Sequence, residues 1–189
     1  LDTLDLQEAK KKLLQSPLIV SVSLQKRPPS SLYVDYTIRI PVAFALDFVN
    51  TAMDEKRHLF PFSPFFSPKN LPEIYLGPEL IKNSLEGFQL KGEPVDLAFS
   101  ILEWVKSFED GSFRIQRVDV SSAYNPSLGQ RDLVLRLENT SLGTLHTLRL
   151  SRLGYRKEIA NYFKLRKTQL HVSEDKVIDL RLAQLAYIE

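Results

Sequence analysis

Residues 19–40 contain two stretches in which apolar and polar side chains alternate along the chain. The apolar members recur at every second position: Val20, Val22 and Leu24, then Leu32, Val34, Tyr36, Ile38 and Ile40. Between the two stretches lie Pro28 and Pro29, which cannot donate to a strand ladder and which disfavour a helix. Period-two alternation puts one set of side chains on one face of a strand. The sequence therefore predicts two strands joined by a turn, and any fold of this chain must accommodate them.

Three other segments have the apolar spacing of amphipathic helices. The first begins at Asp5, in an acidic form of the capping box, and ends before Pro17. The second is predicted over residues 93–109, with Pro94 in its first turn. The third is predicted over residues 156–167. Each helix has an apolar stripe that needs a sheet or another helix to cover it.

The second half of the chain also contains several predicted strands. Alternation predicts strands over residues 113–121, 131–139 and 144–152, and a final strand that starts at Val177 and reaches Ile188. Helices and strands are mixed along the chain without a repeating unit. The order predicts an α+β fold, with an antiparallel-rich sheet and flanking helices in the second half.

Residues 60–78 hold five prolines and four phenylalanines. A proline-rich segment can serve as an extended ligand for another protein. The high content of phenylalanine instead favours burial, because each ring removes a large apolar area from water. We interpret this segment as an ordered connection that is packed by its own aromatic side chains.

Composition and motifs exclude several classes of function. The formal net charge is only +2, too small a basic excess to indicate nucleic-acid binding, and the chain has no cysteine for disulfides or thiolate chemistry. No glycine-rich phosphate loop or serine-nucleophile motif is present in the sequence. The isolated histidines are His58, His146 and His171, and the adjacent acidic pairs are Asp54 with Glu55 and Glu109 with Asp110. The sequence therefore predicts no catalytic residue, no metal site and no cofactor.

The predicted C-terminal strand is the remaining candidate for function. Ile178, Leu180 and Leu182 alternate with more polar residues, which is compatible with a strand at the edge of a sheet or with one inside it. An edge strand exposes free N–H and C=O groups that can accept a strand from another chain. The spacing alone leaves both positions open.

A series of short motifs runs through the chain in a fixed order. The series comprises residues 17–24, residues 29–34, Arg39-Ile40-Pro41-Val42-Ala43, residues 54–61, Leu71-Pro72 with Leu76-Gly77-Pro78, Leu153-Gly154, and Ile178-Asp179-Leu180-Arg181. It resembles the bacterial cell-division family FtsQ, called DivIB in Gram-positive bacteria, over nearly the whole chain. Departures from the family pattern are Ile38 in place of Glu, Arg57 in place of Gly, Leu182 in place of an aromatic residue, and Gln184-Leu185 in place of smaller residues.

The resemblance implies a POTRA-like domain over residues 1–66 and a β domain over residues 67–189. It also implies a single-pass protein of the cytoplasmic membrane, anchored by an upstream span absent from this fragment, with this fragment on the extracytoplasmic side. Such a protein is a non-enzymatic scaffold of the division complex. Its expected partners are FtsB-like or DivIC-like proteins and FtsL-like proteins, with no nucleic acid.

In the family, a partner adds a strand to the last β-strand. Carried over by position, the expected partner-binding residues are Asp179, Arg181, Leu182, Ala183, Gln184, Leu185, Ala186 and Tyr187. The alternatives are a POTRA-type chaperone or transport module and, less favoured, a cell-wall enzyme whose carboxylates converge in space.

Overall fold

A computed structural model describes residues 4–67, 69–108, 110–168, 174–182 and 186–188. Within these residues the fold is α+β, with four α-helices and a large mixed sheet. The helices are α1 (Leu6–Leu14), α2 (Pro78–Ser84), α3 (Glu93–Lys106) and α4 (Tyr155–Thr168). Among the described helices, none combines the length and the apolar character needed to cross a membrane.

Two strands form a separate hairpin, as the alternating pattern predicts. They are β1 (Ile19–Arg27) and β2 (Ser31–Ile38), which pair antiparallel around the Pro28-Pro29 turn. Only part of the apolar stripe is covered: Val22 is buried, whereas Val34 and Tyr36 are exposed. A register shift between Ile19 and Ser21 interrupts the alternation at the start of β1.

The large sheet contains nine strands among the described residues. In chain order they are β3 (Ala43–Ala45), β4 (Thr51–Met53), β5 (Leu59–Pro61), β6 (Glu73–Tyr75), β9 (Phe113–Asp119), β10 (Leu133–Asn139), β11 (Leu145–Leu150), β12 (Lys176–Asp179) and β13 (Tyr187–Ile188). Their spatial order is β13-β12-β11-β10-β9-β6-β3-β4-β5, and both parallel and antiparallel pairs occur. A small hairpin of β7 (Leu85–Glu86) and β8 (Gln89–Leu90) completes the strands.

The main core lies between one face of this sheet and the helices α3 and α4. Four residues in register on adjacent strands, Val118, Leu135, Leu148 and Ile178, are each at most 1% exposed. Phe163 of α4 belongs to the same core; its ring stacks on Phe108 at a centroid distance of 4.7 Å and is tilted against Phe113 at 4.8 Å. The stripes predicted for α3 and α4 therefore cover the sheet, whereas α1 has no buried residue and its predicted stripe stays largely uncovered.

The opposite face of the sheet carries charged pairs. Arg117 contacts Glu73 at 2.7 Å, and Arg149 contacts Asp132 at 2.8 Å. On β10 the buried Leu133, Leu135 and Leu137 alternate with half-buried residues, two of which are charged, so one face of the sheet is covered more fully than the other.

The phenylalanine-rich connection is packed by its aromatic rings, as predicted. Phe62 contacts Phe44 and Phe66, with ring centroids 4.9 and 5.4 Å apart, and Phe60 is 1% exposed. This small second core lies next to Leu18, at the start of the β1–β2 hairpin.

The large sheet draws strands from both sides of residues 66 and 67. Of its strands, β3, β4 and β5 precede the predicted boundary, and β6 and β9 to β13 follow it. The division into domains over 1–66 and 67–189 stays a prediction, as does the POTRA-like character of the first segment.

The prediction of one long C-terminal strand is wrong. Strand β12 ends at Asp179, and the chain returns as β13, which pairs antiparallel with β12. The physical reason is local: the Asp179 carboxylate accepts the backbone N–H of Arg181 at 3.1 Å, which favours a turn over a continued strand. Helix α3 also ends earlier than predicted, at Lys106, and Glu109 lies outside the described residues.

Candidate functional site at the C-terminal sheet edge

The C-terminal edge of the large sheet is built by β11, β12 and β13. Strand β12 pairs in parallel with β11 along its whole length, from Lys176 to Asp179. On its other side it pairs antiparallel with β13 at two positions, Ile178 with Ile188 and Asp179 with Tyr187. The outer strand at this edge is therefore a two-residue strand of the chain itself.

The direction of the backbone donors follows from one hydrogen bond. The backbone N–H of Leu180 donates to the carbonyl oxygen of Arg149 at 3.0 Å. This N–H therefore points toward β11. Because successive N–H groups of a strand point to opposite sides, the N–H groups of Asp179 and Val177 point away from β11. These two donors are the ones that a strand on the outer side of β12 can use.

Arg181 folds back on Asp179 where β12 ends. Its Nε lies 2.9 and 3.1 Å from the two carboxylate oxygens. This hydrogen bonding is the main cause that lowers the pKa of the Asp179 carboxyl below its ordinary value, and it raises the pKa of Arg181. Both groups are therefore charged at neutral pH, and each already has a partner.

An open cavity of about 530 Å³ adjoins this turn. Its lining comprises Leu128, Gly129, Arg131, Ser151, Arg152, Leu153, Asp179, Arg181 and Leu182. The three leucines are 76%, 91% and 59% exposed, respectively. A solvent-exposed set of leucines beside arginine side chains can receive an apolar group together with an acidic one.

The predicted partner-binding residues divide into three groups. Asp179, Arg181 and Leu182 lie together at the cavity. Tyr187 lies on β13 opposite Asp179, and Ala186 is exposed just before it. Ala183, Gln184 and Leu185 lie outside the described residues.

The sequence interpretation missed the residues that come to the cavity from other parts of the chain. Leu128 and Arg131 belong to a turn region over residues 121–132, and Leu153 lies between β11 and α4. The signal for Leu128 and Leu153 is a single leucine within a polar segment, which is too common to identify a site.

The other candidate groups have structural partners. Asp54 pairs with Arg39 at 2.7 Å, and Asp110 accepts hydrogen bonds from Ser112, which lower the pKa of its carboxyl. His146 is 3% exposed and lies 2.9 Å from the Tyr162 hydroxyl. In the part of the chain that the structure describes, no group of three or more potential ligands could hold a metal ion.

No protein-family model matches this sequence, and no curated protein is significantly similar to it.

Proposed function

We propose that this chain is a non-enzymatic, extracytoplasmic scaffold of the bacterial division complex, of the FtsQ/DivIB type. Its partners in this proposal are FtsB-like or DivIC-like proteins and FtsL-like proteins, bound by main-chain pairing at the C-terminal sheet edge. An upstream membrane span would hold the fragment at the outer face of the cytoplasmic membrane. The proposal rests on the resemblance of the ordered motif series and on the geometry of this edge.

The proposal rests on the structure of the C-terminal edge of the large sheet. Its outermost strand has two residues, Tyr187 and Ile188, which are 59% and 43% exposed. On the outer side of β12 it covers only two residue pairs, Ile178 with Ile188 and Asp179 with Tyr187, and an edge strand with free N–H and C=O groups can accept a strand from another chain. Each net ladder hydrogen bond contributes about 0.5–1.5 kcal/mol to such pairing.

The neighbouring cavity supplies the specificity that backbone pairing lacks. An apolar partner side chain would cover Leu128, Leu153 and Leu182. An acidic partner side chain would meet Arg131 or Arg181, which adds a charge-assisted hydrogen bond. We therefore expect a partner segment that is extended and combines apolar and acidic residues.

The test removes one outward backbone donor from β12. Val177 lies on this strand with its N–H directed away from β11, so Val177→Pro deletes that donor while the β11 ladder keeps its bonds. Binding is measured by calorimetry with the purified extracytoplasmic segments of the FtsB-like and FtsL-like proteins from the same genome. We expect Val177→Pro to weaken binding by about 2- to 12-fold, the loss of one ladder hydrogen bond, and the matched Val177→Ala to leave it unchanged. Equal affinity of the two variants, with unchanged circular dichroism, contradicts the proposal.

A POTRA-type chaperone or transport module is the second candidate, favoured by the β1–β2 hairpin. This hairpin exposes Val20, Val34 and Tyr36 at 50%, 42% and 59%, respectively. Such a surface could hold unfolded segments by strand addition. This function predicts that the chain suppresses aggregation of an unfolded outer-membrane protein, that Tyr36→Lys abolishes the effect and that Val177→Pro does not.

A further inference from the structure

Strand β13 occupies the position that an incoming strand needs on β12. Its two residues pair with Ile178 and Asp179, the last half of β12. Both of its residues are exposed, and neither belongs to the core. Its contact with the rest of the protein is therefore small in comparison with that of β12, whose Ile178 is completely buried.

The cavity indicates which strand a partner must contact. Its lining includes Asp179, Arg181 and Leu182, which lie at or directly after the end of β12, and it includes no residue of β13. Neighbouring strands are about 4.8 Å apart, so a strand added outside β13 would run one strand spacing farther from the cavity. A single extended segment can pair with the sheet and fill the cavity most directly when it lies on β12 itself.

We infer that β13 is an intramolecular cover of the β12 edge, and that a partner strand binds by displacing it. The inference rests on the proposed function and concerns the regulation of that site. A partner that pairs with β12 from Lys176 to Asp179 gains a longer ladder than the two residue pairs it replaces. Its apparent affinity is lowered by the fraction of molecules in which β13 is closed.

A reversible disulfide between β12 and β13 tests whether β13 must leave β12 before a partner binds. Ile178 and Ile188 lie opposite each other on β12 and β13. Because the N–H of Leu180 points to β11, so does that of Ile178, and the two isoleucines occupy a non-hydrogen-bonded position of the antiparallel ladder. Such pairs have Cα atoms about 4.5 Å apart, which is within disulfide range. The chain has no other cysteine, so Ile178→Cys with Ile188→Cys can form only this disulfide within the molecule.

The same double variant is compared oxidised and reduced, with the two single variants as controls. Affinity for the FtsB-like and FtsL-like extracytoplasmic segments is expected to be at least 10-fold weaker in the oxidised protein. The reduced protein is expected to bind like the single variants. Equal or tighter binding by the oxidised protein overturns the inference and leaves the proposed function standing.

Hydrogen exchange tests the cover without a partner. The N–H of Asp179 points to β13, whereas that of Leu180 is bonded to β11. We expect the Asp179 amide to exchange at least 10-fold faster than the Leu180 amide, and oxidation of the double variant to slow it. Equal protection of both amides overturns the inference. Fast, redox-sensitive exchange of Asp179 together with no binding by any variant contradicts the proposed function instead.

Discussion

Arg39 and Asp54 form a nearly buried ion pair that connects the end of the β1–β2 hairpin to the turn between β4 and β5. The Arg39 Nη1 atom lies 2.7 Å from an Asp54 carboxylate oxygen, and the side chains are 16% and 13% exposed. Arg39 Nε also donates to the carbonyl of Pro17 at 2.7 Å. The other Asp54 oxygen accepts the backbone N–H of His58 at 2.8 Å. The first residue of the Arg-x-Pro-Val-Ala motif, Arg39, thus has a structural role, because it links the hairpin to the large sheet.

Removing the charge of Arg39 should destabilise the protein strongly. Arg39→Met removes the arginine from a site of low exposure and leaves the Asp54 carboxylate only its contacts with His58, so we expect the free energy of unfolding to fall by about 3 kcal/mol. Urea denaturation measures it. The control is Lys12→Met, which breaks the exposed Lys12–Glu8 pair and should change stability by less than about 0.5 kcal/mol. A similar loss of unfolding free energy in both variants would show that the Arg39–Asp54 pair contributes little to stability.

Gly154 should not tolerate even an added methyl group. A Cβ at this position would overlap the Glu158 carboxylate and lie 2.6 Å from Ser151 Oγ. Glu158 accepts the backbone N–H of Ser151 at 2.7 Å, and this interaction ties the end of β11 to α4. Displacing the carboxylate leaves these groups unsatisfied, so Gly154→Ala should cost about 1–3 kcal/mol of stability in thermal unfolding.

The control for Gly154 is another glycine with open space. A Cβ at Gly129 would meet no heavy atom within 4 Å, so Gly129→Ala should leave stability nearly unchanged. If the cost at Gly154 acts through Glu158, then Gly154→Ala should cost much less in a Glu158→Ala background. A full, additive loss of stability in that background would assign the effect to the contact with Ser151 or to the backbone instead.

His146 should make the stability depend on pH near neutrality. Burial is the largest cause that lowers the pKa of this histidine below its ordinary value of 6.5, and the nearby charges of Arg166 and Lys176 lower it further. A backbone hydrogen bond with Glu174 and the charge of Asp175 oppose this shift without reversing it. The folded state therefore holds the neutral ring, and the stability it contributes is present above the unfolded-state pKa of 6.5 and is lost as pH falls below that value.

The measurement compares wild type with His146→Leu in urea between pH 7.5 and 5. The difference between the two proteins removes the contribution of groups that they share. We expect wild type to lose stability relative to the variant as pH falls, with a slope of at most about 1.4 kcal/mol per pH unit. A difference that is constant with pH would show that His146 does not stay neutral in the folded state.

Local patterns in the sequence predict the regular elements well. The hairpin, the strands near 113–152 and the N-cap of α1 are all found, and Asp5 accepts the N–H of Gln7 at 2.7 Å. Strand β6 has three residues, and β7 and β8 have two each, which is too short for a period to emerge. These strands form because other strands pair with them in the folded structure. The residues within such a short strand do not by themselves indicate this pairing.

The candidate site is harder to predict from the sequence than the helices and strands are. The alternation of Ile178, Leu180 and Leu182 suggests a continuing strand, but the hydrogen bonds between Asp179 and Arg181 end it. The cavity combines leucines that are far apart in the chain, Leu128, Leu153 and Leu182. Only the tertiary fold brings them to one place.

Arg57 has a backbone conformation that favours glycine, the residue expected at this position in the proposed FtsQ/DivIB-type pattern. Its φ is +66°, a left-handed conformation that costs a residue with a Cβ about 1 kcal/mol or more. Two side-chain contacts act against this cost: the guanidinium forms an ion pair with Asp96 and lies 5.4 Å from the centre of the Phe99 ring.

Comparison of two substitutions at Arg57 should separate the backbone strain from the side-chain contacts. Arg57→Ala loses both contacts and keeps the strain, whereas Arg57→Gly loses the same contacts and removes the strain. We therefore expect the glycine variant to be more stable than the alanine variant by about 1 kcal/mol in urea denaturation. At Ala98, inside α3, the same alanine-to-glycine exchange should have the opposite sign, because glycine is disfavoured in a helix. An alanine variant at position 57 that is as stable as the glycine variant would mean that the turn relaxes out of the left-handed conformation once the arginine is gone.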